Sequence, residues 1–288
     1  MNEATILDEL AEAIRRAVTE LPSDVERALE RARERETSQI AVAQLDAILE
    51  TVRIARAGSI PICQDTGLLT FFVEVGTSSP VLGKIRPWIE QSVAVATREI
   101  PLRPNTVDPF TGANPGNNSG RFAPFIHWDL VSGDEIRISL LPKGAGSENA
   151  STVKMLAPAA GIGGIKRTVV EHIVTCQGKP CPPTIVGVGI GGSADVALTL
   201  GKKAILRPLG STHPEPNAAT LECELLELVN STGLGPMGLG GATTSLAVHV
   251  EYAARHPASL PLGIVVQCWA DRRAQVVIRK DGTPEMIS

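Results

Sequence analysis

Apolar residues recur at helical spacing over residues 4–57 and then change period repeatedly, which confines the chain to a helical N-terminal region followed by a mixed core. Ile6, Leu7, Leu10, Ile14 and Val18 mark a first helix, and Pro22-Ser23-Asp24 opens a second that runs through Leu29. Ser38 stands as N-cap of a third helix carrying Ile40, Leu45, Ile48, Leu49 and Val52, with Gly58 placed to end it. Beyond that point residues 69–75 predict a strand and 84–99 a helix with Ile85, Trp88, Ile89, Val93 and Ala96 on one stripe. Residues 124–130 and 135–141 flank Val131-Ser132-Gly133-Asp134 and predict a hairpin. Helices are expected over 162–176, from Ser193 to Ile205 and over 216–230, with strands over 184–188 and around 244–251, 262–268 and 274–279. Regular βαβ alternation is missing, so the expected class is α+β (mixed α/β) in a single domain 1–288, divided into a helical region 1–57 and a core 58–288.

Charge and cysteine usage exclude several functions. With 27 Lys+Arg against 31 Asp+Glu, and no basic stripe or aromatic platform, nucleic acid is not the expected partner. No apolar run is long enough to span a bilayer and the first residues do not read as an export signal, so a cytoplasmic protein is expected. Five cysteines, an odd number without an export signal, argue for reduced thiols rather than a disulfide framework.

Cys63, Cys181 and Cys268 lie in unusual settings: Pro61-Ile62-Cys63-Gln64-Asp65-Thr66-Gly67, Cys181-Pro182-Pro183 and Gln267-Cys268-Trp269. Cys63 is placed beside an amide and a carboxylate after a helix end, where an ordinary Asx-type turn is the competing reading. Cys181, followed by two prolines, is expected to have an extended backbone that would suit a fixed ligand. Cys268 ends an apolar strand, where a packing thiol is as good a reading, and Cys176 and Cys223 are assigned to helix packing. No Cys-x2-Cys pair or ferredoxin-type run links the three, so spacing alone leaves them open between packing thiols and soft-metal ligands. Residues 101–122, rich in proline, glycine and asparagine, form a long loop of the kind that carries function, with Arg103 as its anion ligand. Gly187-Val188-Gly189-Ile190-Gly191-Gly192 satisfies G-x-G-x-x-G after a strand, yet the acidic residue expected about twenty positions on is replaced by Leu206-Arg207-Pro208. Close packing of strand and helix, or a helix N-terminus that faces an anion, therefore explains these glycines better than a nicotinamide site does.

Together with Lys143-Gly144-Ala145-Gly146-Ser147-Glu148-Asn149, Gly189-Ile190-Gly191-Gly192-Ser193, Arg255-His256-Pro257-Ala258-Ser259-Leu260-Pro261 and Gln267-Cys268-Trp269-Ala270-Asp271-Arg272-Arg273, these motifs resemble the iron–sulfur hydro-lyases, the class I fumarate hydratases and L(+)-tartrate dehydratases. The likeness runs from the N-terminal helices to about Arg273 and corresponds to the α subunit, or N-terminal half, of that family. It implies that Cys63, Cys181 and Cys268 bind a [4Fe-4S] cluster with one iron left open. It also implies that Gln64 and Arg103 grip substrate carboxylates, that Asp65 and His256 handle the proton of the leaving water, and that Gly144, Ala145 and Gly146 bring backbone N–H groups to a carboxylate. Ala145 stands where three glycines are common, which bears on any contact needing a positive φ. The expected activity is reversible dehydration of a C4 2-hydroxy dicarboxylate, malate/fumarate ahead of L(+)-tartrate. The expected partner is a β subunit, in a heterotetramer, that supplies the remaining substrate cations. A regulatory module holding zinc or sensing redox through the same thiols is the reading from a different class.

Overall fold

The computed structural model describes residues 3–287. The helices are α1 (Glu3–Thr19), α2 (Ser23–Arg35), α3 (Gln39–Gly58), α4 (Ile85–Glu99), the single-turn α5 (Ala145–Glu148), α6 (Gly161–Cys176), α7 (Ala194–Ala204) and α8 (Pro216–Asn230). The strands are β1 (Leu68–Gly76), β2 (Phe125–Val131), β3 (Ile136–Lys143), β4 (Thr152–Leu156), β5 (Thr184–Gly192), β6 (Ser245–Arg255), β7 (Leu260–Gln267), β8 (Ala274–Ile278) and β9 (Pro284–Ile287). Helices followed by mixed sheets make this an α+β chain, as the periodicity predicts. Its described residues gather into two compact units.

The first unit comprises the chain up to Pro22, Thr51–Ala145 and the stretch from Arg272 onward. Its sheet runs β2-β1-β3-β8-β9. α1 and α4 cover one face, burying Ile6, Leu10, Ile14, Trp88, Ile89 and Val93 against Phe71, Val73, Ile136 and Ile138. At about 1.5–3 kcal/mol per fully buried large apolar side chain, this core is the main source of the unit's stability. The indole of Trp88 donates to Glu3 at 2.7 Å, so the one polar atom of that buried ring is satisfied.

The expected hairpin does not form. β2 pairs parallel to β1, β3 pairs antiparallel to β1, and β1 therefore lies between the two strands that the Val131–Asp134 turn joins. That turn passes over the end of β1, whose N–H groups at Gly76, Thr77 and Ser78 donate to the carbonyls of Glu135 (2.8 Å), Val131 (2.9 Å) and Gly133 (2.9 Å). The physical reason is burial. β1 is apolar on both faces and takes the interior position, while the more polar β2 is left at the edge.

The end of α3 also differs from expectation. Ser59, not Gly58, adopts the left-handed conformation (φ 48°), and the N–H groups of Ile60 and Ser59 return to the carbonyls of Ala55 (3.0 Å) and Arg56 (3.4 Å). This pattern is a Schellman termination one residue later. It delivers the chain to Ile62, whose N–H donates to the Val18 carbonyl at 2.9 Å.

The second unit, Ser23–Glu50 and Gly146–Asp271, holds a sheet in the order β4-β7-β5-β6. α6 and α8 pack on it through Ile165, Val169, Ile173, Leu221, Leu225 and Val229. α7 lies much closer. A Cβ on Gly189 would meet the Ala197 carbonyl oxygen at 1.9 Å and one on Gly187 the Gly201 oxygen at 2.0 Å, so these glycines serve close strand–helix packing. β4 and β9, unforeseen in the periodicity, are short edge strands.

Candidate active site

In the first unit the turn carrying Cys63 is built around Asp65. Its Oδ1 accepts from the Gly67 N–H (2.9 Å), which is the Asx turn that Asp-Thr-Gly chemistry predicts, and from the Asn105 amide (3.3 Å). Its Oδ2 accepts from the Ala145 N–H (2.8 Å), and its carbonyl accepts from Arg272 Nη1 (2.9 Å). Gly67 is required here, since its φ is +83° and a Cβ would stand 2.7 Å from the Lys143 backbone nitrogen. The turn and the end of β3 thus touch backbone to backbone.

Thr66, buried, couples this turn to the long loop. Its Oγ1 accepts from the Arg103 N–H (3.1 Å) and from the Asn105 amide (3.3 Å), while Asn118 donates to the Arg103 carbonyl (3.1 Å). The first unit therefore brings together Cys63, Gln64, Asp65, Arg103, Gly144 and Ala145. Ala145 opens α5 without a positive φ, so alanine costs nothing in backbone strain there. Its N–H, however, is engaged by Asp65 rather than turned to a ligand.

In the second unit Cys181 and Cys268 are neighbours, because the Trp269 N–H donates to the Cys181 carbonyl at 3.2 Å. Cys181 is not extended as expected. Its N–H closes a turn onto the Gly178 carbonyl (3.0 Å) and its φ is +55°, a left-handed conformation uncommon outside glycine. Cys268 is half-buried, its Sγ 3.7 Å from the Ala270 carbonyl, and the preceding Gln267 is fully buried with its side chain between Ser147 (3.4 Å) and Ala270 (3.5 Å). Gly146, with Ser147, belongs to this unit.

His256 is not part of that neighbourhood. It lies in the turn before β7, where its Nδ1 accepts from the Ala258 N–H (3.1 Å), whereas Cys268 follows the far end of the same strand. Seven steps of about 3.3 Å separate the ends of β7, roughly 23 Å. His256 and Cys268 therefore flank opposite ends of β7. The other cysteines divide as well: Cys176 is buried and burial pushes its thiol pKa up, as suits packing, but Cys223 is exposed because the buried stripe of α8 runs through Ala218, Leu221, Leu225 and Val229 and leaves it outside.

Asn105 and Arg272 carry the turn and were not singled out by sequence reasoning. Arg272 is 1% exposed, and its Nε has no hydrogen-bond partner. Its only local signal is a cation placed directly after a buried strand and Asp271. Among the described residues, no three His, Cys, Asp or Glu side chains gather as a metal-binding group.

The first unit thus offers a thiol, a cation on an anchored loop and a carboxylate braced by backbone donors, and the second unit offers two adjacent thiols. Residues 7–277 match the family model described as fumarate hydratase (Fumerase). A protein of Methanocaldococcus jannaschii, named as a candidate L(+)-tartrate dehydratase subunit alpha, is 50% identical over 280 residues, covering 96% of this chain and 98% of its own. An L(+)-tartrate dehydratase subunit alpha of Escherichia coli is 40% identical over 271 residues, 94% of this chain and 89% of its own. The chain belongs to the fumarate hydratase (Fumerase) family and is a hydro-lyase. Among the described residues, no helix is long and apolar enough to cross a membrane.

Proposed function

We propose that this chain is the α subunit of a [4Fe-4S]-dependent hydro-lyase that reversibly dehydrates a C4 2-hydroxy dicarboxylate, acting with a β-type subunit. The observation that carries the reading is the seating of Cys181 beside Cys268, two soft donors held by a backbone hydrogen bond and a left-handed turn. Thiolates are the ligands an iron–sulfur cluster requires, so these residues fit one, with Cys63 as the third ligand. When bound, such a cluster supplies an open iron, a Lewis acid for a hydroxyl and a carboxylate oxygen.

The chain's own groups supply the rest. Arg103 offers a planar fork to a carboxylate, and its backbone is fixed on both sides by Thr66 and Asn118, so little order is lost on binding. Gln64 is exposed beside Cys63 and can orient the other end of the substrate. Asp65 Oδ2 accepts one hydrogen bond, from Ala145, and its second lone-pair site can take a proton from water. Between the two C4 acids we now favour L(+)-tartrate over malate, because both relatives above carry that name over nearly their whole length. Their designation as subunit alpha supports a β-type partner, in a heterotetramer, and a cytoplasmic location suits thiols that must stay reduced.

The test is anaerobic co-expression with the β-type chain, followed by assays on L(+)-tartrate and malate. The expected preparation is brown, holds about four irons and four sulfides per α chain, and forms oxaloacetate from L(+)-tartrate faster than fumarate from malate. Cys181→Ser should lose the iron while keeping the far-UV spectrum. A colourless zinc-containing protein would overturn the cluster, and faster turnover of malate would return the substrate to the malate/fumarate pair.

A further inference from the structure

We infer that the glycine-rich loop at residues 233–241 is a positioning element for Cys181, acting through Gly238 and the Met237 N–H. The inference rests on the ligand role proposed for Cys181 and adds what holds that ligand in place. Of the six non-glycine residues with positive φ among the described residues, three meet at this one contact: Gln177 (51°), Cys181 (55°) and Met237 (55°). Such conformations persist only where the surroundings over-determine them, and they cluster at functional sites.

Two stretches of bare backbone touch here. A Cβ on Gly178 would stand 2.6 Å from the Met237 carbonyl oxygen, and one on Gly238 would stand 2.6 Å from the Gly178 Cα and 3.6 Å from the Gln177 carbonyl carbon. No side chain fits between them, so the loop lies directly against the turn that Cys181 closes with its N–H on the Gly178 carbonyl (3.0 Å). The Met237 N–H then donates to the Pro182 carbonyl at 2.8 Å, shorter than the 3.2 Å bond from Trp269 to Cys181. The turn is therefore held at Gly178, at Pro182 and at Cys181 itself.

A backstop of this kind works only if it is stiff. The Gly240 N–H donates to the Leu234 carbonyl (2.8 Å) and the Gly238 N–H to the Gly235 carbonyl (3.0 Å), which closes the loop on itself. A Cβ on Gly235 would stand 2.2 Å from the Gly240 carbonyl carbon, so the two arms of the loop are in contact. Just past its far end the chain is pinned by Glu36, whose Oε2 accepts from the Ala242 N–H at 2.7 Å. Two thiols serve one metal centre only while their separation is fixed, and the loop removes the freedom that the Cys181 turn would otherwise have.

The test compares Gly238→Ala with Gly240→Ala in the full chain. Both glycines are left-handed, at φ 72° and 88°, so alanine strains the backbone at either, but a Cβ on Gly240 meets nothing within 4 Å and leaves Gly178 alone. Amide hydrogen exchange of the iron-free chain reads the contact without any metal. Gly238→Ala should speed exchange at Met237, Cys181 and Trp269 by about tenfold relative to amides of β5, the scale of one lost hydrogen bond, and Gly240→Ala should not. Titration with cadmium(II), followed by thiolate absorbance, should give about tenfold weaker binding for Gly238→Ala alone. By reciprocity cadmium should slow exchange at Met237 in the unsubstituted chain, a reading that stands even where Gly238→Ala does not fold. Equal exchange and equal cadmium affinity in the two variants would overturn the inference, as would a Met237 amide that cadmium leaves unchanged. A chain that behaves as expected in these readings yet takes up no iron and sulfide with the β-type chain would keep the positioning role and lose the iron–sulfur cluster.

Discussion

Asp65→Asn separates the two jobs of the group beside Cys63. The asparagine oxygen can keep the Gly67 N–H and Asn105 contacts, but its NH2 then faces the Ala145 N–H, donor against donor. One charge-assisted hydrogen bond contributes about 1.5–3 kcal/mol, and Asp65 is half-buried, so the expected loss is about 2 kcal/mol. With a urea dependence of about 2 kcal/mol/M, the unfolding midpoint should fall by about 1 M. A protein stable by about 5–15 kcal/mol stays folded after such a loss. Activity of the variant, co-purified with the β-type chain and matched for iron content, then reads the second job. If the carboxylate moves a proton during dehydration, kcat should drop about 10²–10⁴-fold, far beyond what a still-folded population explains. An unchanged midpoint would refute the hydrogen-bond argument. A lowered midpoint with kcat within a few-fold of wild type would leave Asp65 as a turn residue only.

Two further outcomes follow from packing and charge in the second unit. Glu36 is nearly buried, which pushes its carboxyl pKa up, but backbone N–H groups at Ser38, Ala242, Thr37 and Thr243 outweigh this and hold it below the ordinary value. A folded pKa below the unfolded one means stability present above the unfolded value of about 4.3 and lost as pH falls through the folded one. Glu36→Gln should therefore be less stable by about 1–3 kcal/mol near pH 7, and urea midpoints of the two proteins should converge toward pH 3; a constant gap would contradict the assignment. Gly189→Ala forces a Cβ to 1.9 Å from the Ala197 carbonyl, a backbone atom with no side-chain freedom to yield. A loss of about 3 kcal/mol or more is expected from such overpacking, read by chemical unfolding, and a change below about 0.5 kcal/mol would mean that α7 does not press on β5 as described.

How much of this was legible in the sequence depends on how far each signal reaches. Helix periodicity is local, so α1 to α4 and α6 to α8 fall where the apolar stripes put them. The turn at Val131–Asp134 is also a true local signal, yet its two strands flank β1, because which strand takes the interior position depends on burial across the whole sheet. The same limit governs the site. The Asx turn at Asp65 is readable from Asp-Thr-Gly, whereas Asn105 and Arg272 act on residues 40 and 207 positions away, and nothing near them in sequence announces it. His256 shows the converse relation. Twelve residues from Cys268 looks close along the chain, and in a helix it would be about 18 Å. Because β7 intervenes, most of that interval runs at strand rise, and nearness in sequence becomes separation by the full depth of a sheet. Sequence spacing therefore locates a ligand only after the element carrying it is known. The pairing of Cys181 with Cys268, 87 positions apart but one hydrogen bond away, follows from β5 and β7 lying antiparallel with Ile185 opposite Gln267.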